Sequence, residues 1–94
     1  MARLVRLTPR YIERLAACRV IPGSSLAREA GATLRALAEA PELPTALDVI
    51  ASIPPIASAY VRRVGNRNLW LWYSATESEL VMLRVTTAPP VPMA

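Results

Sequence analysis

Histidine, lysine and phenylalanine are absent from this chain, cysteine occurs once, and glycine only three times. Without an imidazole, the serine and cysteine triads that rely on histidine are excluded, as are zinc sites built on histidine ligands. The single thiol, Cys18, cannot close an intrachain disulfide. Its expected role is that of a small apolar residue on the buried side of a helix, which fits a reducing cytoplasm. Arg, Glu, Asp or Pro interrupts every apolar run before the roughly 18 residues a membrane span requires. The opening Met-Ala-Arg-Leu-Val-Arg-Leu also lacks the long apolar stretch of an export signal. Neither a cofactor nor a metal nor a membrane is implied.

What is present is a chain of 94 residues, 53% of them hydrophobic, which is enough for one core and too short for two. Residues 1–94 are therefore expected to form a single domain. Every basic residue is arginine, eleven in all, against seven acids, for a net charge of +4. The charge is uneven. Residues 1–40 carry seven arginines and three acids, residues 41–58 carry two acids and no base, and residues 60–94 carry four arginines and two acids.

Arg3-Leu4-Val5-Arg6-Leu7 predicts a short strand, and Thr8-Pro9 predicts a helix start, with Thr8 as N-cap and Pro9 at the first helical position. Ile12, Leu15 and Ala16 would face inward, and Pro22-Gly23 would end the helix. A second helix, capped by Ser24 or Ser25, puts Leu26, Ala30, Thr33, Leu34 and Leu37 on one stripe and runs to about Ala40. Gly31 inside it costs about 1 kcal/mol relative to alanine unless it allows close packing, and close packing is expected there. Four prolines, at 41, 44, 54 and 55, make residues 41–58 a connection. Within it, Ala46-Leu47-Asp48-Val49-Ile50 suits either one helical turn or a brief edge strand. No internal repeat is visible.

Residues Tyr60–Val64, Gly65-Asn66 and Arg67–Tyr73 predict a hairpin with a two-residue turn. That turn sets Val64 opposite Arg67, Arg62 opposite Leu69 and Tyr60 opposite Leu71 on one face, with Arg63 opposite Asn68 and Val61 opposite Trp70 on the other. Trp70 and Trp72 share a face by parity. They could stack bases, but as the largest rings of a chain without phenylalanine they are assigned to the core beneath the helices. Tyr73, on the opposite face, would be exposed. A polar loop from Ser74 to Glu79 leads to a last strand, Leu80–Thr86, and the Pro-rich tail at 87–94 stops further pairing. The expected fold is α+β: a short N-terminal strand and two helices packed on an antiparallel sheet completed by three C-terminal strands, with a ferredoxin-like split unit as competitor.

Three pieces of this sequence resemble the RelE/ParE superfamily, the toxins of type II toxin–antitoxin pairs. They are the strand running into a Thr-Pro-Arg helix start (Leu4 to Leu15), Tyr60-Val61-Arg62-Arg63-Val64-Gly65-Asn66-Arg67, similar to the family's Tyr-Arg-x-Arg-Val-Gly-x-x-Arg hairpin, and the strand closing on Tyr73 followed by Leu80–Val85. The resemblance implies growth arrest, either by ribosome-dependent cleavage of messenger RNA or by inhibition of DNA gyrase. It implies a cytoplasmic protein and an antitoxin partner with an acidic wrapping segment, the chain forming a homodimer or a hetero-oligomer with that antitoxin. It also implies Arg62, Arg63, Arg67 and Arg84 as target contacts, with Tyr73 second. An alternative is a non-catalytic module of the same fold that binds protein or nucleic acid. Departures from the family pattern count against the nuclease. There is no tyrosine after Tyr73, and Thr86-Thr87-Ala88-Pro89-Pro90 stands where many members carry a basic stretch. A guanidinium stays protonated above about pH 12 and is a poor proton shuttle.

Overall fold

A computed structural model describes residues 2–91. The elements run β1 (Leu4–Leu7), α1 (Pro9–Ala17), α2 (Ser25–Glu39), β2 (Asp48–Ile53), β3 (Ile56–Arg63), β4 (Trp70–Ala75) and β5 (Glu79–Thr86). The strands form one sheet in the order β1-β5-β4-β3-β2. The α+β class holds, with two helices on one sheet, and the ferredoxin-like order does not, because both helices precede every strand but the first. Two corrections follow. β1 lies parallel to β5 while the other neighbours are antiparallel, so the sheet is mixed. Four strands, not three, follow the helices.

The fourth comes from the connection. Asp48–Ile53 is an edge strand, and Pro54-Pro55 forms the turn into β3. Proline is tolerated there because an edge and a turn need no ladder donor.

The helix starts and the inward stripe of α2 are as expected, and the inward face of α1 is not. Thr8 caps α1 by accepting from the Tyr11 amide at 3.3 Å, and its hydroxyl donates to the Met82 carbonyl at 2.8 Å. This second bond sets the start of α1 on β5 and turns Tyr11 and Leu15, four apart, toward the sheet. Ile12, expected inside, is 54% exposed. The helix also ends early, at Ala17, because Arg19 takes a left-handed φ of 59° before the proline is reached. Ser24 caps α2 through the Ala27 amide at 3.1 Å. Ala30, Leu34 and Leu37 of its stripe then pack against Val64, Leu69, Leu71, Tyr73, Leu80, Met82 and Val85.

The β3–β4 hairpin pairs Tyr60 with Tyr73, Val61 with Trp72, Arg62 with Leu71 and Arg63 with Trp70. Relative to the two-residue turn, the register has moved by two positions. Val64 and Leu69 close the loop (Val64 N to Leu69 O, 2.9 Å), and the Arg67 amide turns back onto the Val64 carbonyl at 2.9 Å. Four residues are thus in the turn, Gly65 taking a positive φ of 51°. An even shift preserves which residues share a face.

Those faces are the reverse of the core assignment. Leu71 and Tyr73 lie under the helices, whereas Trp70 and Trp72 cluster with Ala51, Ala59 and Val61 on the other side of the sheet. Both tryptophans are still buried. The tip of the β2–β3 hairpin brings Ile53 and Ile56 together with Leu83 of β5. Pro89 and Pro90 line small cavities beside Trp70 and Trp72. The indole N–H of Trp72 donates to Thr86 Oγ1 at 3.0 Å. The sheet therefore has a second, smaller core on its helix-free face, with part of the Pro-rich tail at its rim. The tail from Pro92 onward lies outside the described residues.

Gly31 is a third correction. A Cβ built there meets nothing within 4 Å, so no close packing compensates its helix penalty. Gly31→Ala is expected to stabilise the fold by about 1 kcal/mol, a rise in Tm of roughly 4–8 °C for a domain of this size. Thermal unfolding followed by circular dichroism checks this; an unchanged or lower Tm contradicts it.

Candidate functional site

The sequence-predicted arginines do not form one cluster. Arg62 is on the helix face of β3, Arg63 and Arg84 are on the opposite face, and Arg67 is in the β3–β4 turn. Each has a different local environment.

Arg62 is buried, at 8% exposure, and faces Asp48 across the β2–β3 ladder. Its Nε donates to Asp48 Oδ1 at 2.7 Å and its Nη2 to Asp48 Oδ2 at 2.9 Å, the two-pronged geometry that guanidinium and carboxylate share. Nη2 also donates to Thr45 Oγ1 at 2.7 Å. The Asp48 carboxylate, fully buried, accepts further from the Thr45 amide at 2.7 Å and the Tyr73 hydroxyl at 2.8 Å. Burial works to raise the Asp48 pKa. The hydrogen bonds from Arg62, the Thr45 amide and Tyr73, with the charge of Arg62, outweigh it and hold the carboxyl below its ordinary value. Burial, then the bond to Asp48 and that carboxylate's charge, push the Tyr73 hydroxyl far above the ordinary tyrosine range.

Tyr73 is therefore not the exposed aromatic expected from parity. It is fully buried, stacked at a tilt on Tyr60 with ring centroids 5.7 Å apart, and its proton is held by Asp48. The inversion has one cause: the helices cover the Leu71/Tyr73 face rather than the tryptophan face.

Arg67 bonds Glu29 Oε2 at 2.7 Å and Ser25 Oγ at 2.9 Å, tying the β3–β4 turn to the start of α2. Both partners are near half exposed, and such a pair contributes about 0–1 kcal/mol. Arg63 lies over the Trp70 ring at 5.1 Å and donates to the carbonyls of Arg67 and Asn66 at 2.8 and 3.2 Å. Like Arg62, these two are engaged within the molecule.

Arg84 differs. β5 bulges between its pairings of Trp72 with Arg84 and Tyr73 with Met82, which leaves Leu83 as the extra residue. Among the described residues, Arg84 Nε is the buried side-chain nitrogen that has no hydrogen-bond partner. A buried donor without an acceptor costs about 1–3 kcal/mol, and more when charged. Arg84 lines a cavity of about 370 Å³ with Thr8, Arg10, Pro55, Ile56 and Leu83. The sequence marked Arg84 but not Arg10 as its neighbour, since 74 positions and four elements separate them. Asp48 was missed as well, although a lone acid inside Leu47-Asp48-Val49-Ile50 was a usable signal, because burial of such a group demands a cation.

Among the described residues no three His, Cys, Asp or Glu side chains gather as a metal site. No helix there is long and apolar enough to cross a membrane. The chain matches no protein-family model, no curated protein and no solved structure.

Asp48→Asn removes one partner of the buried pair and leaves Arg62 uncompensated, for an expected loss of about 3–5 kcal/mol at pH 7. The folded-state pKa of Asp48 lies below its unfolded value of about 4. Its contribution is therefore complete above that pH and falls away as pH drops through the folded value. Urea unfolding of both proteins at pH 7 and pH 3 should show the difference shrink in acid; a difference independent of pH contradicts the assignment.

Proposed function

We propose that this chain is a growth-arresting toxin of the RelE/ParE kind, held inactive in the cytoplasm by an acidic antitoxin, and that it acts by contact with its target rather than by cutting RNA. The observation that carries the reading is the order and layering of the fold: one strand, two helices, then four strands each antiparallel to the next, the last bearing Arg84 on the helix-free face. It agrees with the coarse architecture that the sequence resemblance implies.

The choice between the two arms rests on proton transfer. RNA cleavage needs a group that takes a proton and another that gives one. The chain has no histidine or lysine, and the Tyr73 hydroxyl is buried and bonded to Asp48. The arginines of the helix-free face are suited to binding and charge stabilisation rather than to proton shuttling, and Glu79, a carboxylate on that face, is paired with Arg6 at 3.8 Å. This favours gyrase inhibition over messenger cleavage.

A second reading, a non-toxic binding module of the same fold, has its own support. Arg62, Arg63 and Arg67, three of the four arginines in the resemblance, make their bonds inside the molecule.

Inducible expression in bacteria tests both, with growth, pulse-labelled protein synthesis, messenger integrity and DNA integrity followed together. The expected outcome is arrest with DNA breakage and intact messenger RNA, abolished by Arg84→Ala and retained by Arg67→Ala. Prompt messenger cleavage moves the protein to the nuclease arm. Absence of arrest from soluble, folded protein replaces the toxin reading with the binding module.

A further inference from the structure

Two arginines, Arg10 and Arg84, line one cavity in which no acidic side chain takes part. Its walls come from three places: Thr8 and Arg10 at the start of α1, Pro55 and Ile56 at the β2–β3 turn, and Leu83 and Arg84 at the bulge of β5. The Thr8 hydroxyl is already engaged, donating to the Met82 carbonyl and accepting from the Tyr11 amide. Arg10 meets only an exposed Glu13 on its own helix, at 3.5 Å. Arg84 holds its Nε away from water with no acceptor. Two like charges beside one cavity, with no acid in its lining, oppose each other, so the arrangement suits an occupant that brings an anion.

The remaining walls, Pro55, Ile56 and Leu83, define what carries that anion. They offer aliphatic surface and no side-chain donor or acceptor. The cavity volume of about 370 Å³ lies within the range of ligand pockets, which pair apolar walls with a few placed polar groups. We propose that this cavity takes a carboxylate borne on an aliphatic body, such as a glutamate next to a leucine or isoleucine in an acidic protein partner. The carboxylate meets Arg84 and Arg10, and the aliphatic part rests on Pro55, Ile56 and Leu83. A nucleic acid fits less well. Its phosphate comes with sugar hydroxyls for which these apolar walls have no partner, and no aromatic ring lines the cavity to stack a base.

The inference deepens the proposed function by naming the chemistry of the partner at Arg84, and for its biological consequence it rests on that reading; binding itself is measured on purified protein. The probe is acetyl-Leu-Glu-Leu-amide, compared by calorimetry and NMR with its Gln counterpart, a single-stranded RNA hexamer and inorganic phosphate. The Glu peptide is expected to bind at least about tenfold tighter than the Gln peptide. Arg84→Met, which keeps the aliphatic stem, and Arg10→Ala should each weaken it by about tenfold or more, while Arg35→Ala on the exposed side of α2 leaves it unchanged. Should Arg84→Met fail to fold, the Arg84 Nε–H resonance of the wild-type protein should shift with the Glu peptide and not with the Gln peptide. Equal binding of the two peptides overturns the proposal, as does Arg84-dependent preference for RNA or phosphate. Glu-selective binding without growth arrest leaves the site standing and removes the toxin reading; Arg84-dependent arrest without Glu selectivity does the reverse.

Discussion

The position of β2 depends on one buried ion pair. Asp48 opens that strand and Arg62 faces it from β3, so their bidentate contact fixes the register of the edge hairpin at the point where the connection enters the sheet. Thr45 and Tyr73 supply the remaining bonds, from the connection and from β4. Four segments thus meet on one carboxylate. A charge in that setting is tolerated only with its partners complete, and this makes the pair a device for specificity more than a source of net stability. Beyond the ladder to β3, β2 is held by Ala51 and Ile53 on the helix-free face, while Val49 and Ile50 are exposed and its outer edge is unpaired.

The rest of the helix-free face follows from that placement. With β2 fixed, the β2–β3 tip brings Ile53 and Ile56 to Leu83, and the tryptophans fill the space between with Ala51, Ala59 and Val61. Alanines on β2 and β3 beside tryptophans on β4 are a complementary fit of small against large. The same tip contributes Pro55 and Ile56 to the Arg84 cavity. An ion pair under the helices and a cavity on the other side of the sheet are linked through one hairpin.

What the sequence made legible was local, and what it hid was tertiary. Thr8-Pro9 and Ser24 identified both helix starts because a cap is written in two or three adjacent residues. The alternation of β3 and β4 identified which residues share a face, and it survived a two-residue error in register because parity is insensitive to an even shift. The identity of the covered face was not legible. Both faces of β4 are apolar, Trp70 and Trp72 on one and Leu71 and Tyr73 on the other, and periodicity alone cannot say which one meets the helices. That single ambiguity reversed the expected exposure of Tyr73 and hid the burial of Arg62. The edge strand β2 was obscured by its prolines, which lie at its ends rather than within it. Of the candidate site, Arg84 was visible in the sequence, and Arg10 and the cavity were not, since they exist only when α1, β5 and the β2–β3 turn come together.

A strongly basic composition does not by itself describe a basic surface. The eleven bases are all arginine, and much of this set works as internal scaffolding. Arg3, 8% exposed, ties the Thr76 and Ala40 carbonyls, joining the β4–β5 turn to the end of α2. Arg14 reaches the Val85 carbonyl, Arg63 caps the β3–β4 turn, and Arg62 anchors β2. A planar fork with five donors can serve two acceptors at once while its stem packs against apolar neighbours, and a lysine ammonium offers neither the geometry nor the weak hydration. Lysine's absence and the internal use of arginine are consistent with one another. The charge excess therefore says less about a polyanionic target than its size suggests. Arg84, whose Nε the fold buries without a partner, is more informative than the number of arginines.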